Sequence, residues 1–561
     1  MSLTRSKPVL LVTGLTTALV LSGCAGSASQ KKNDAAASGD GGMIAQLTFP
    51  SEVDASVGGL ANYNPYAPKP LTTTWLFEQL IVRNALTCEE TPWLAEKATW
   101  EGGEKLTFDI RQGVKWTDGQ PFTAKDVAFT FNLMKKYPAL DKAGVWTETF
   151  GAPATSVTAE GNKVVFVFSG NAAPKYDGII TSKILPEHVY SKVGDPTTYV
   201  DKAPVSTGPF KVGSFNGRQL VLERRPDYWQ ADKIKVQKLV LEGQYDAPQA
   251  ALKLRAGQLD AYFGEIPNPE KAFVSADPEN NHYYYAPNGT TVLTGNNEKA
   301  PFDDVKFREA ISYAMNKEEI SLKATYGIMK PASQTGLKLP AMEKLLPEQY
   351  AGQDTVLPYD LAKANQLLDA AGYKKGADGK RTKPDGSPLA VNFTVQAGFI
   401  DYQAIADVVV KGLNDLGVTS KVTASAPDSV DGQKKTGDYQ LMLEYLHGGC
   451  ELAKNLGSKL ASTQIPTKTT VLPNVQRFRD ATVDAAVTKL SADTDRESQK
   501  RDLAPLVDTM MTQYPVTALI YAPARVIYRT DKAVGWPSEE DPYANPQDDK
   551  LLMLTHLTAP K

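Results

Sequence analysis

Histidine and cysteine side chains, which supply many metal ligands and nucleophiles in proteins, are few and scattered in this 561-residue chain. The histidines match no metal-ligand spacing, and the sequence has no HExxH, paired CxxC, Walker or GxSxG motif. The many Asp and Glu residues could still hide a catalytic carboxylate pair, which spacing does not exclude. We therefore expect no enzyme, no metal and no cofactor, with a secreted hydrolase as the alternative. The four histidines are His188, His282, His447 and His556.

The first 24 residues have the pattern of an export signal. A positively charged start precedes an apolar run from Pro8 to Leu21, and small residues follow before Cys24. The run is shorter than the ~20 apolar residues that a membrane-spanning helix needs. The ending Leu-Ser-Gly-Cys resembles the bacterial lipobox, in which the cysteine becomes the lipidated first residue. We predict a signal peptide over 1–23, lipidation at Cys24, and a tether over 24–42.

A lipidated Cys24 would hold the protein on the outer face of the cytoplasmic membrane, because two acyl chains anchor stably. An ordinary cleaved signal with an incidental cysteine is the alternative. No later segment has 18 or more consecutive apolar residues. The formal net charge is −3 and becomes −5 without residues 1–23, with no basic block, so a nucleic-acid partner is not expected. The length predicts two or three domains.

Two further cysteines, Cys88 and Cys450, lie far apart in the sequence. In an exported protein such a pair could form a disulfide. Two separate buried thiols are the other interpretation, and it is the one that we favour.

Several local patterns predict the elements that position any site. Alternation at Leu106, Phe108 and Ile110 predicts a half-buried strand. The Thr123-Ala-Lys-Asp126 sequence is typical of a capping box that opens a helix. Asn216-Gly217 between alternating apolar residues predicts a hairpin. Three further helices are predicted over 305–315 after two acidic residues, over 360–371 before Gly372, and over 402–416 before Gly417.

Five segments, taken in order, resemble the family 5 extracellular solute-binding proteins. These are the receptors of ABC importers for oligopeptides, dipeptides, nickel and oligosaccharides. Each segment alone is modest evidence, but together they cover nearly all of the mature chain. The segments are 92–131 (PWLAEKATWEGGEKLTFDIRQGVKWTDGQPFTAKDVAFTF), STGPF at 206–210 with RRPDYW at 224–229, KLRAGQLDAYF at 253–263, 296–320, and YDLAKANQLLDAAGY at 359–373.

The resemblance implies an α/β, two-lobed periplasmic-binding-protein-like (Venus-flytrap) fold with an extra subdomain in lobe I. It implies that a ligand binds between the open lobes and that hinge closure buries it for delivery to ABC permease subunits. A monomer is expected. Cys88 and Cys450 then fall in different lobes, where a bond would hinder opening, which strengthens the free-thiol interpretation. The implied limits are lobe I over 43–88, 205–293 and 522–561, the extra subdomain over 89–204, and lobe II over 294–521.

Most motif residues are expected to be structural. Trp116, Trp229 and Phe302 are interpreted as core residues. Gly208 and Gly119 are interpreted as serving backbone conformation.

The solute stays open between an oligopeptide and a β-linked oligosaccharide. Peptide receptors of this family hold the ligand's ammonium group with an acidic residue in a Gly-Trp-x-x-Asp stretch. The corresponding residues 438–455 of this chain lack the Trp and the Asp of that pattern. Glu444 or Glu451 would be the substitute. Residues 397–418 and 535–546 resemble the oligosaccharide branch, in which aromatic platforms meet sugar faces. The scarcity of histidines argues against nickel. The candidate ligand-binding residues are Asn64, Tyr66, Phe399, Asp401, Tyr402, Tyr445, His447, Glu451 and Trp536, and packing onto lobe I is the alternative role for Trp536.

Overall fold

The computed structural model of the chain describes residues 42–51, 61–68 and 70–561. The predicted signal peptide, Cys24 and the tether up to residue 41 lie outside the described residues. Within the described part of the chain, no helix has both the length and the apolar composition to cross a membrane.

Strands and helices are interspersed along the whole chain, as the mixed sequence patterns predict. The strands are β1 (Leu47–Phe49), β2 (Ile81–Arg83), β3 (Glu90–Pro92), β4 (Ala95–Glu101), β5 (Lys105–Ile110), β6 (Ala154–Glu160), β7 (Lys163–Phe168), β8 (Phe210–Phe215), β9 (Gln219–Arg224), β10 (Lys238–Glu242), β11 (Ala261–Tyr262), β12 (Asn281–Gly295), β13 (Ala390–Gln396), β14 (Thr419–Ser425), β15 (Leu441–His447) and β16 (Thr517–Arg529).

The α-helices are α1 (Ala124–Lys136), α2 (Tyr176–Thr181), α3 (Glu187–Tyr190), α4 (Ala247–Arg255), α5 (Pro269–Ala272), α6 (Val305–Ala314), α7 (Lys317–Thr325), α8 (Leu361–Ala370), α9 (Ile400–Asp415), α10 (Pro427–Thr436), α11 (Ser458–Leu460), α12 (Ala481–Ala492), α13 (Arg496–Thr512) and α14 (Lys550–Leu554).

The strands form separate sheets for the different parts of the molecule. One sheet has the order β1-β10-β9-β8, and β1 runs parallel to β10. An antiparallel sheet of order β4-β5-β7-β6 lies within residues 95–168, inside the predicted extra subdomain. The largest sheet has the order β11-β16-β12-β15-β13-β14, and β2 and β3 form a short hairpin.

Two long antiparallel strands, β12 and β16, join the two lobes of this α/β fold. At one end β16 pairs with β11, and at the other end β12 pairs with β15. Their ladder shifts register between Pro287 and Gly289, opposite Pro523. Because proline cannot donate to a ladder, this is a weak point in the sheet where the strands can bend. We call the elements between β12 and β16 the second lobe and the remainder the first lobe; the predicted numerical limits stay predictions.

The local predictions agree with the elements. In β5 the side chains of Leu106, Phe108 and Ile110 are buried in alternation, and Thr123 with Asp126 forms the capping box of α1. The Asn216-Gly217 turn joins β8 to β9. Asp304 and Asp360 are the N-caps of α6 and α8, and α9 ends before Gly417. Trp116 and Phe302 are buried, and Trp229 is partly buried against the core.

Gly208 lies where two backbones approach closely, as its interpretation as a backbone residue predicts. Its N–H donates to the carbonyl of Leu76 at 2.8 Å. A Cβ atom at this position would lie 2.4 Å from that same oxygen, and a backbone atom cannot move aside as a flexible side chain can.

We expect Gly208→Ala to lower the free energy of unfolding by about 1–3 kcal/mol, because it overpacks this contact. Gly119 is the matched control position, since nothing lies within 4 Å of the corresponding Cβ, although its φ of +85° adds a smaller strain. Urea denaturation followed by circular dichroism measures both variants. Equal stability of Gly208→Ala and the parent chain would contradict the prediction.

Candidate functional site

A cavity of about 1490 Å³ lies between the two lobes. The first lobe contributes residues from the β2–β3 hairpin, β4, the loop at 150–151 and the start of α2. The second lobe contributes residues at 341–345 and from 450 to 499. The lining residues on which the following argument depends are Arg83, Trp100, Tyr176, Glu451, Lys454 and Arg496.

On the first-lobe side, aromatic rings and the ion-paired guanidinium of Arg83 form one wall. Arg83 donates to Glu90 at 2.7 Å and to Asp177 at 2.8 Å, and its guanidinium carbon lies 5.3 Å from the centre of the Tyr176 ring. The Tyr176 hydroxyl donates to Glu90 at 2.9 Å. The ring of Trp100 lies 6.1 Å from that of Tyr176. This wall therefore combines a fixed charge network with flat apolar surface.

On the second-lobe side, a carboxylate and an ammonium group face the cavity. Glu451 accepts from Lys454 at 3.0 Å, and the Lys454 ammonium lies 5.0 Å from the centre of the Phe150 ring on the other lobe. Burial and then the nearby charge of Asp177 raise the pKa of Glu451. Glu451 and Asp177, from opposite lobes, thus repel each other, although each is already paired with a cation, Glu451 with Lys454 and Asp177 with Arg83.

Arg496, at the start of α13, brings a further cation to the cavity. It donates to the backbone carbonyl of Cys88 at 2.5 Å. Burial and the charge of Arg83 lower the pKa of Arg496. The cavity therefore presents groups of both signs, which suits a ligand with both an ammonium and a carboxylate.

Of the nine predicted ligand-binding residues, all of them in described segments, Glu451 lines this cavity. Tyr445 and His447 lie on β15, opposite Thr291 and Gly289 of the crossing strand β12, with their rings 4.7 Å apart. They are therefore beside the junction of the lobes.

Phe399, Asp401 and Tyr402 lie together at the start of α9 in the second lobe. The rings of Phe399 and Tyr402 are 5.2 Å apart, and Phe399 is exposed. Burial, followed by the charge of Glu444, raises the pKa of Tyr402 to about 12. Glu444 itself is paired with Lys434 at 2.8 Å, so it is engaged within the second lobe.

Asn64, Tyr66 and Trp536 lie within the first lobe. Asn64 is buried and donates to the carbonyls of Pro196 and Tyr199. The Tyr66 hydroxyl donates to the carbonyl of Lys183. Trp536 is buried and donates to the carbonyl of Ala533. The structure therefore does not bring the nine residues together at one place.

The first-lobe wall was not predicted from the sequence. Trp100 lies inside the first family-like segment, where it reads as one more residue of a strand. Arg83 and Tyr176 belong to no motif. The available signal is weak: Trp100 is followed by Glu101, Gly102 and Gly103, a turn at the end of β4 that leaves a large aromatic near a strand end.

The preference for free thiols at Cys88 and Cys450 is wrong, because the two residues form a disulfide with their Cα atoms 5.3 Å apart. Placing the two cysteines in different lobes favours free thiols only if the lobes do not meet at these residues. The β2–β3 hairpin carries Cys88 at its tip across to the second lobe, so the two lobes touch there even though their cores are separate.

The described residues contain no group of three or more His, Cys, Asp or Glu side chains arranged to hold a metal ion. The cavity is instead suited to an organic ligand by its aromatic and charged walls.

Comparison with known proteins identifies the relatives of this chain. The family model described as "Bacterial extracellular solute-binding proteins, family 5 Middle" matches residues 89–461. The nickel-binding periplasmic protein of Escherichia coli is 23% identical over 431 residues, which are 72% of this chain and 77% of that protein. A dipeptide-binding protein of Pseudomonas aeruginosa is 28% identical over 368 residues, with 59% of this chain and 64% of that protein covered.

Solved structures show the same fold. The periplasmic oligopeptide-binding protein of an oligopeptide ABC transporter from Thermotoga maritima superposes with a TM-score of 0.73, at 21% identity, over 92% of this chain and 99% of that one. A second crystal structure of that protein, with mannohexaose bound, gives a TM-score of 0.65 at 22% identity, over 92% of this chain and 98% of that one.

Proposed function

The chain belongs to the bacterial extracellular solute-binding proteins of family 5, and on that premise we propose that it is the receptor of an ABC importer for oligopeptides. It would capture a peptide between its two lobes and deliver it to permease subunits in the membrane. Members of the family bind solutes and do not catalyse reactions, and their location is extracytoplasmic.

The observation that carries the proposal is the inter-lobe cavity of about 1490 Å³. Pockets for drug-sized ligands are typically about 300–1000 Å³, so this cavity has room for an extended oligomer. Its walls come from both lobes, so a ligand that contacts both favours the closed form. Rotation of the lobes at β12 and β16 provides the opening movement.

The charges favour a peptide over a neutral solute. Glu451 and Asp177 lie on opposite lobes and repel each other, so a ligand's ammonium group would add to the cations, Lys454 and Arg83, that already pair with them. Arg496 offers a guanidinium to a carboxylate in the same cavity. Relatives at 23–28% identity carry names for nickel and dipeptide binding. The aromatic and charged side chains of the walls favour a peptide over a nickel ion.

An oligosaccharide is the second candidate, and the aromatic wall is the observation that favours it. Trp100 and Tyr176 present flat apolar rings beside carboxylates, which suits the C–H faces and hydroxyls of sugars. The fold is shared with a protein that has been crystallised with mannohexaose. Against it, Glu451 and Arg496 also line the cavity, and a neutral ligand would offer neither of them an opposite charge.

The location of the receptor is proposed from the first residues of the chain. The pattern over 1–24 supports export and lipidation at Cys24, with 24–42 as a tether. Anchoring would keep the monomeric receptor close to its permease.

A thermal-shift screen of fragment 27–561 against tri- to octapeptides and β-linked hexaoses tests the proposal. The fragment keeps the whole unit 42–561. A peptide at 100 times its Kd is expected to stabilise the folded state by about 2.7 kcal/mol. Stabilisation by sugars alone would replace the peptide proposal with the oligosaccharide one. Turnover of a stabilising ligand would favour the hydrolase alternative.

A further inference from the structure

The tip of the β2–β3 hairpin, residues 84–89, lies where the two lobes meet, and we call it the clasp loop. Its first half belongs to the first lobe, since Leu86 is buried in that lobe's core and the Ala85 N–H donates to Asp549. Cys88 is 1% exposed and belongs to a hydrophobic cluster of the second lobe that includes Leu337 and Met342. Its sulfur is bonded to that of Cys450. Cys88 is therefore a residue of the first lobe that packs in the core of the second.

Polar contacts from the second lobe also reach the clasp loop. Lys338 donates to the carbonyl of Ala85 at 2.5 Å, and Lys344 pairs with Glu89 at 2.6 Å. Arg496 donates to the carbonyl of Cys88. The exposed Lys344–Glu89 pair is worth about 1 kcal/mol or less. The hydrogen bonds from the charged Lys338 and Arg496 are worth about 1.5–3 kcal/mol each, but they are not covalent and can break and re-form. The disulfide is covalent and does not break in this way.

The bond lies close to the crossing strands. Cys450 follows the end of β15 by three residues, which span at most roughly 11 Å. The last residue of β15, His447, pairs with Gly289 at the register shift of β12. The lobes can therefore rotate about this region while the disulfide stays intact. The contacts that must separate are farther out, such as Asn171 with the carbonyl of Ala492 at 3.2 Å.

We propose that the Cys88–Cys450 disulfide is a redox-sensitive third connection between the lobes, which limits their opening and thereby the rate of ligand exchange. When it is oxidised, the lobes rotate about an axis that is fixed by β12, β16 and the bond. When it is reduced, the clasp loop can leave the second lobe, and the cavity opens more widely. The proposal rests on the proposed function only in its ligand-exchange arm.

The chemistry is thiol–disulfide exchange with an extracytoplasmic dithiol. One thiolate of that dithiol attacks a sulfur of the bond, which forms a mixed disulfide and releases the other cysteine as a thiolate that takes up a proton. The second thiol of the reductant then attacks the sulfur of the first and displaces the remaining protein cysteine as a thiolate that takes up a proton, so that two electrons and two protons reduce the bond and the dithiol becomes a disulfide. Both cysteines line the cavity, so a bound ligand would obstruct the attack.

Fragment 27–561 is suited to the test because Cys88 and Cys450 are its two cysteines. The fragment is compared oxidised, reduced with dithiothreitol, and as Cys88→Ser/Cys450→Ser. The double variant treated with dithiothreitol is the matched control for effects of the reductant elsewhere. A thiol count is expected to rise from none to two per molecule on reduction, and circular dichroism follows the fold.

Two measurements decide the outcome. Without any ligand, small-angle scattering is expected to give a larger radius of gyration for the reduced fragment and the double variant than for the oxidised one. With a stabilising peptide, dissociation followed by tryptophan fluorescence is expected to be at least ~3-fold faster after reduction, and the bound peptide to slow reduction. The scattering arm stands even if no peptide binds, which would be the failure of the proposed function alone.

Equal scattering and equal dissociation in the oxidised and fully reduced fragment would overturn the proposal. Loss of folded structure on reduction would also overturn it, because the bond would then serve only stability.

Discussion

Substituting Arg225 by methionine is expected to reduce the free energy of unfolding by about 3–5 kcal/mol, because it removes the charged donor of five backbone carbonyls. The Arg225 side chain is only 3% exposed and is paired with Asp227 at 3.1 Å. Methionine keeps the apolar stem but leaves several carbonyl oxygens without their donor. The carbonyls that Arg225 reaches are those of Lys115, Trp116, Ser206, Thr207 and Gly208.

Arg218→Met is the matched control for Arg225→Met. Arg218 is exposed in the turn between β8 and β9, so its substitution is expected to change stability by less than about 0.5 kcal/mol. Urea denaturation monitored by tryptophan fluorescence measures both. If the two variants lose similar stability, the Arg225 network is not the support that its contacts indicate.

The Arg225 network explains why the sequence motifs identify the scaffold. Three motifs from two of the family-like segments meet at this one guanidinium, although they are up to about a hundred residues apart in the chain. The GVKW turn supplies Lys115 and Trp116, STGPF supplies Ser206 to Gly208, and RRPDYW supplies Arg225 with its partner Asp227. These motifs therefore supply the residues of one structural contact, and none of these residues identifies the ligand.

Elements that depend on neighbouring residues were predictable from the sequence. Strand alternation at β5, the capping box of α1 and the glycine after α9 act within a few residues. The parallel pairing of β1 with β10 and the crossing of the clasp loop into the second lobe depend on contacts that no local pattern encodes. The disulfide was mispredicted for that reason, since the two lobes were not expected to meet at Cys88 and Cys450.

The candidate site was only partly predictable. Glu451 was found because the family resemblance directs attention to residues 438–455. The facing wall of Arg83, Trp100 and Tyr176 comes from three separate elements, so its members become neighbours only after folding. The candidate role of this wall depends on where its residues lie at the inter-lobe surface. Residue type alone does not reveal that position.

Substituting Glu451 by glutamine is expected to weaken the binding of a peptide with a free N-terminus about 30–100-fold, which corresponds to ~2–3 kcal/mol. The proposed ammonium site depends on this carboxylate, and the amide keeps its shape without its charge. Lys454, its present partner at 3.0 Å, also loses its acid. Isothermal titration calorimetry gives both affinities. Glu104→Gln is the control, because Glu104 is exposed and is not among the residues that line the cavity.

An N-acetylated peptide separates loss of the ammonium contact from general damage to the cavity. It lacks the cation, so it is expected to bind the parent chain and Glu451→Gln with similar, low affinity. Equal losses for the free and the acetylated peptide would contradict a direct contact between Glu451 and the ammonium.

The pH dependence follows from the pKa of Glu451, which burial and the charge of Asp177 raise in the free receptor. Binding an ammonium group requires the ionised carboxylate, so the bound state holds fewer protons than the free one. Affinity for a free peptide is therefore expected to fall as the pH is lowered through that raised pKa. The decline in affinity is expected to be smaller in Glu451→Gln, because the titrating carboxyl group is absent. The same decline in both proteins would assign the pH dependence to other groups.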